Sequence, residues 1–83
     1  MTKRRFLIGH TDPINGVVPL TGGNILSWAS DRTLRLWSQN GKTLMIYAGD
    51  APMICCVVMD NGKKAIVGDS QGRLLLLRIV DGV

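Results

Sequence analysis

The chain of 83 residues is built on an internal repeat of about forty residues. Gly9-His10 opens a stretch that closes on Ser30-Asp31-Arg32-Thr33-Leu34-Arg35-Leu36-Trp37. Gly49-Asp50 opens a second, which closes on Asp69-Ser70-Gln71-Gly72-Arg73-Leu74-Leu75-Leu76. Between these landmarks Gly23 aligns with Gly62, and Ile25-Leu26 with Lys64-Ala65. A unit of this size cannot bury its own apolar surface and becomes stable by stacking on its neighbours. One small domain is the upper bound, since domains usually run to about 100–150 residues, and separate cofactor and substrate domains are excluded.

Within each copy the pattern is strand. Short apolar runs rich in β-branched residues span Ile14 to Leu20 and Ile54 to Met59, Ile25 to Ala29 and Ala65 to Val67, Leu34 to Trp37 and Leu74 to Ile79. Gly, Asn and Asp turns separate them. Asn40-Gly41, Asn61-Gly62 and Asp81-Gly82 accept the positive φ of tight hairpin turns, so consecutive strands are expected to be antiparallel neighbours. Leu74-Leu75-Leu76-Leu77 and Cys55-Cys56-Val57-Val58 are apolar at every position, the mark of strands covered on both faces. A lone four-stranded sheet would leave one such face in water. Small sheets packed radially, each between two others, meet the requirement, and this is the propeller architecture.

Composition narrows the function classes. With 46% hydrophobic and 19% charged residues, the chain is of the ordered, heavily buried kind. Ten Lys and Arg against six Asp and Glu give a net charge of +4, but the only cluster is Lys3-Arg4-Arg5, without interleaved aromatics, which argues against nucleic-acid binding. Phe6-Leu7-Ile8 is too short for a signal-peptide core, and no run approaches a membrane span, so a soluble, cytoplasmic protein with no membrane partner is expected. Cys55 and Cys56 are adjacent and point to opposite faces of an extended strand, so they read as core residues. Two Cys and one His fall short of a zinc ligand set, and neither a metal nor a cofactor is expected.

From Gly9-His10 and from Ile25 through Ser27, Ser30-Asp31 and Trp37, the first copy resembles a WD-repeat blade. Ser38 stands where the final Asp of that family's W-D pair would be. The resemblance implies a hydrogen-bonded tetrad: His10 in the loop before the inner strand, Ser27 on the second strand, Asp31 in the tight turn and Trp37 on the third strand. In the second copy Asp50 stands for His10, Ile66 for Ser27, Ser70 for Asp31 and Leu76 for Trp37, so no such network is expected there, only apolar packing.

The expected architecture is all-β: two four-stranded antiparallel blades per chain, with 9–48 as the first blade and 49–83 as a second that lacks its outer strand. Residues 3–8 precede Gly9-His10 as 43–48 precede Gly49-Asp50, and read as an outer strand without a blade of its own. Donating Arg4, Arg5, Phe6, Leu7 and Ile8 to the strand containing Leu74, Leu75, Leu76 and Leu77 of the next subunit would close a head-to-tail homo-oligomeric toroid. Four blades would crowd Val17, Val18, Val57 and Val58 at the axis; a tetramer with eight blades is favoured over a trimer with six. The same pattern also fits a segment of a longer propeller.

Gly68-Asp69-Ser70-Gln71-Gly72 matches the nucleophile-elbow text G-x-S-x-G, but a strand follows where that motif needs a helix, so no enzyme and no catalytic residue is expected. Resemblance to WD-repeat propellers implies instead a non-catalytic scaffold for protein or peptide interaction. Its candidate face gathers Thr11, Asp12, Arg32, Asp50, Pro52 and Gln71 from the loops at one end, with Arg32 foremost as a bidentate-capable cation in a turn that normally favours Gly. The alternative is a ring that holds a small molecule or glycan in its repeated inter-blade clefts.

Overall fold

Runs of β-branched residues between Gly- and Asn-bearing turns fold as seven strands in the computed structural model, which describes residues 4–79. Strands β1 (Ile14–Pro19), β2 (Ile25–Ala29), β3 (Thr33–Trp37) and β4 (Thr43–Ala48) form an antiparallel sheet in sequential order, sheet 1. Strands β5 (Met53–Met59), β6 (Lys64–Asp69) and β7 (Leu74–Arg78) form sheet 2 in the same manner. The fold is all-β, and no helix among the described residues is long and apolar enough to cross a membrane. Lys3 and the Asp81-Gly82 turn lie outside the described residues.

The ladders correct the alignment of the two copies. Ser27 lies between Val17 and Arg35, and Val67 lies between Cys56 and Leu75 in the same manner, so Val67 and not Ile66 is the counterpart of Ser27. By the same ladders Leu77, not Leu76, matches Trp37. The turn bonds Arg32 N–H to Ala29 O and Gly72 N–H to Asp69 O pair Gln71, not Ser70, with Asp31. The cause is one extra residue in a turn: Asp60-Asn61-Gly62-Lys63 joins β5 to β6 where Thr21-Gly22-Gly23 suffices after β1. In a strand, a slip of one residue exchanges the two faces of the sheet.

The sheets stack face to face. Leu26, Trp28, Leu34 and Leu36 of sheet 1 form one buried cluster with Met53, Ala65 and Val67 of sheet 2, flanked by Met45, Tyr47, Cys56, Val58, Leu75 and Leu77. Each fully buried Leu, Val or Met contributes about 1.5–3 kcal/mol, so this interface is the main source of cohesion within the chain. Two polar ties cross it: Asn15 Nδ2–H donates to Met53 O at 2.6 Å, and Trp28 Nε1–H to Ile54 O at 3.3 Å.

Both inner strands carry a bulge, and the two bulges solve one packing problem in opposite ways. After the bulge between Ile14 and Gly16, Gly16 pairs with Trp28, whose indole lies so close that a Cβ on Gly16 would sit 2.2 Å from Trp28 Cζ2. In sheet 2 the glycine is across the ladder: Cys55 pairs with Gly68, and a Cβ on Gly68 would sit 2.8 Å from Cys55 Sγ. Burial pushes the Cys56 thiol, on the face toward sheet 1, up to about 11, with the neighbouring Cys55 adding to the effect.

The outward face of sheet 2 is bare among the described residues, whereas that of sheet 1 is partly covered by the segment before β1. Leu74 and Leu76 are 77% and 68% exposed, and Val57 is 65% exposed, while Leu75 and Leu77 turn toward sheet 1. The outer edge of β7 has no ladder partner among the described residues. Residues 4–8 belong to no strand of the single chain; Phe6 and Ile8 are exposed, and the Arg5 guanidinium donates to Asn40 O at 2.7 Å.

Gly16→Ala is expected to cost about 1–3 kcal/mol by overpacking against Trp28, measured by urea unfolding followed through tryptophan fluorescence. An unchanged midpoint would contradict the close approach.

Candidate functional site

The residues expected to form a tetrad meet on the face of sheet 1 turned away from sheet 2. Ser27 and Trp37 point there because Leu26, Trp28 and Leu36, their chain neighbours, point into the core. The segment before β1 brings His10 over them, and the β2–β3 turn brings Asp31. Trp37 Nε1–H donates to Ser27 Oγ at 2.8 Å, Ser27 Oγ lies 2.6 Å from His10 Nε2, and His10 Nδ1 lies 3.0 Å from Asp31 Oδ2. The His10 and Trp37 rings meet edge to face, 6.0 Å between centroids.

With a neutral imidazole, the end groups set the direction of every proton in this chain. An indole only donates and a carboxylate only accepts. Ser27 Oγ, having accepted from Trp37, gives its own proton to Nε2, so the imidazole proton sits on Nδ1 and faces Asp31. The Asp31 carboxylate is further supplied: Oδ1 accepts from Thr33 Oγ1–H at 2.7 Å and Thr33 N–H at 3.0 Å, and Oδ2 from Thr11 N–H at 3.1 Å. Burial alone would raise the Asp31 carboxyl, but Thr33, His10 and the Thr11 and Thr33 amides together hold it well below the usual carboxylate range. The side chains of His10 and Asp31 are 2% and 3% exposed. With both ring nitrogens engaged and no access, His10 has no lone pair to offer a substrate or a metal.

Thr33 was not foreseen from the sequence, although its position two residues after an Asp in a turn is a recognised side-chain-to-backbone pattern. Its hydroxyl also accepts from Arg35 Nε–H at 3.2 Å, which extends the network along β3.

Sheet 2 ties the equivalent loop and turn differently, and apolar packing is not its only means. Asp69 Oδ1 accepts from Gln71 N–H at 2.9 Å and Arg73 N–H at 3.0 Å; its other oxygen accepts from Arg73 Nε–H at 2.9 Å. The same guanidinium pairs with Asp50, the counterpart of His10. Arg73 holds the Asp50 carboxyl below its ordinary value. Two carboxylates and one guanidinium therefore fasten this turn where an imidazole, two hydroxyls, an indole and a carboxylate fasten the first.

The candidate partner face lies at the end of the molecule where these networks sit. Thr11 N–H to Asp31 and Gly49 N–H to Arg32 O, 2.8 Å, bring Thr11, Arg32 and Asp50 together; Ser70 N–H to Pro52 O, 2.9 Å, brings Pro52 beside Gln71. Thr11, Asp12, Arg32, Asp50 and Gln71 are exposed, and Pro52 is half-buried. Arg32 adopts φ +71°, at the position where the second copy has Gly72 at φ +77°. A left-handed non-glycine residue costs roughly 1 kcal/mol, and Arg32 makes no side-chain hydrogen bond or ion pair among the described residues. The residues expected to close subunits stand apart: Arg4 lies over the Phe6 ring at 5.7 Å, near the far end of sheet 1, while Leu74 to Leu77 lie in the outermost strand of sheet 2. Among the described residues no group of three His, Cys, Asp or Glu is placed to hold a metal ion. Gly68 to Gly72 run from β6 through a turn toward β7, so that a strand follows Ser70.

Ser27→Ala strands His10 Nε2 and the Trp37 indole, and is expected to cost about 1–3 kcal/mol in chemical denaturation. Because the folded Asp31 carboxyl is depressed, the unfolded chain takes up this proton first on acidification. The stability it contributes is full above the ordinary value of 3.8 and is lost as pH falls below it. Asp31→Asn should be less stable at neutral pH and show a shallower acid limb, by one proton per molecule, in unfolding measured across pH; an unchanged limb would contradict the assignment.

No protein-family model matches the chain, and no curated protein matches it.

Proposed function

We propose that the chain is a non-catalytic interaction scaffold of the WD-repeat propeller type, whose copies close head to tail into a toroid and capture a protein or peptide at the loop end that carries Arg32. The observation that carries this reading is the directed hydrogen-bond chain from Trp37 through Ser27 and His10 to Asp31, set in a four-stranded sheet that stacks on a second one. Such a chain uses its imidazole as a clamp, which leaves the fold a positioning task and no reaction. The loops it clamps then become a rigid platform, as binding loops on a stable scaffold must be.

Self-assembly is suggested by the bare outward face of sheet 2. Two stacked sheets cover one face of each other and leave Val57, Leu74 and Leu76 in water. Another sheet must cover them, and the outward face of sheet 1 in a second copy, with half-exposed Ile46 and Val17, offers an apolar surface for it. Each added copy contributes two sheets, and eight sheets in a tetramer remain the favoured closure. Arg32 supports the capture site because the turn holds a cation in a conformation that glycine adopts freely, and a strained residue whose guanidinium has no partner among the described residues suits recognition of a carboxylate on the partner.

Peptides selected from a displayed library on the wild-type protein provide the test. Arg32→Glu should abolish their capture, and Arg32→Gly should do so while leaving stability the same or about 1 kcal/mol higher, with the native mass of the assembly unchanged in both. Retained capture in either variant would remove Arg32 from the site, and a wild-type protein that stays monomeric would remove the toroid.

A further inference from the structure

We infer that the free edge of β7 takes residues 4–8 of a second copy as an added strand, with the Phe6 side chain seated in the cleft between Tyr47 and Leu75. The inference rests on the head-to-tail reading and names its contact.

The repeat itself supplies the register. In sheet 1, β4 pairs with β3 as Thr33 with Ala48, Leu34 with Tyr47, Arg35 with Ile46 and Leu36 with Met45. One repeat along, the same pairing sets Arg73 against Ile8, Leu74 against Leu7, Leu75 against Phe6 and Leu76 against Arg5, and places Gly9 where Gly49 ends β4. Side chains alternate along a strand. Phe6 and Ile8 thus fall on the side of Leu75, toward sheet 1, while Leu7 and Arg5 fall on the side of Leu74 and Leu76.

A cleft lies on that side. Between the outer strands of the two sheets there is a space of about 570 Å³ lined by Tyr47, Ala51, Met53 and Leu75, with Asp50 and Arg73 at its rim. Its walls are largely apolar, and it borders the open edge. The chain also carries the group that would fill it: Phe6 is 72% exposed and Ile8 83% exposed, in a segment without a ladder. A strand edge and an apolar segment that are both unpaired among the described residues are the two halves of a strand-addition contact.

The segment must come from another molecule. His10 is fixed to Ser27 and Asp31 on the face of sheet 1 remote from sheet 2. Five residues reach ~17 Å, too little to pass around sheet 1 and then run the length of β7. In the single chain the segment instead rests by the β3–β4 turn, through the Arg5 bond to Asn40 O. Assembly exchanges that exposed bond, the Leu7 contact at Gly41 and the Arg4–Phe6 contact for a ladder and the burial of Phe6.

A photo-crosslinking phenylalanine analogue placed at position 6, in a mixture of isotope-labelled and unlabelled chains, tests the seating. Cross-links from position 6 of one chain to Tyr47 or Leu75 of another are expected. Phe6→Asp, at an exposed position, should leave the circular dichroism of the subunit unchanged and raise the concentration needed for assembly by about tenfold or more. Assembly that persists with cross-links confined to the β3–β4 turn of the same chain, or that ignores Phe6→Asp, overturns the seating and leaves the toroid standing. A wild-type chain that stays monomeric at every concentration overturns both.

Discussion

The placement of the loops and of the segment before β1 depends on one directed chain of hydrogen bonds. Trp37 can only donate and Asp31 can only accept, so the two groups between them, Ser27 and a neutral His10, each have one arrangement that satisfies both neighbours. Four polar side chains are thereby packed together, and no buried side-chain polar atom of the described residues lacks a partner. The cost of burying an imidazole and a carboxylate is met by mutual satisfaction, which also makes the arrangement all-or-none. The chain holds the segment before β1 against the β2–β3 turn, and with it settles where residues 4–8 leave the molecule and which loops share an end with Arg32.

The two copies show how one unit tolerates different chemistry at the same place. Where sheet 1 has Ala29 at the end of β2, sheet 2 has Asp69, and this moves the turn carboxylate two residues earlier than Asp31 in the aligned register. From there it reaches Arg73, and Arg73 reaches Asp50. The fastening passes from a buried chain that ends on one carboxylate to a more exposed ion-pair set. The bulge positions trade in a similar way: Gly16 makes room for Trp28, and Gly68 makes room for Cys55. What the repeats share is the demand for one large and one absent side chain at the bulge, and one tie between loop and turn.

Most of the strands were legible in the sequence because their boundaries are punctuated: Asn40-Gly41 and Asn61-Gly62 mark turns in which Gly41 and Gly62 take positive φ. The register of the second copy was not, because Gly23 and Gly62 mark similar turns of unequal length, and a hidden extra residue shifts everything after it. The partnership of His10, Ser27, Asp31 and Trp37 was legible only through the resemblance of the first copy to a WD-repeat blade, which implies it. That of Asp69, Arg73 and Asp50 was not legible, since it appears only once the register puts Asp69 at the position of Ala29. Trp28 over Gly16 was equally hidden, because a bulge decides which residues face each other across a ladder.

The protein has a single histidine, so the imidazole nitrogens can be read without ambiguity by ¹⁵N nuclear magnetic resonance. At neutral pH the account predicts a pyrrole-type, proton-bearing Nδ1 and a pyridine-type Nε2, with the Nδ1 proton protected from exchange and a hydrogen-bond coupling to the Asp31 side. A proton on Nε2, or an imidazole that exchanges its tautomers as a free ring does, would contradict the directed chain on which the fold and the proposed assembly are built.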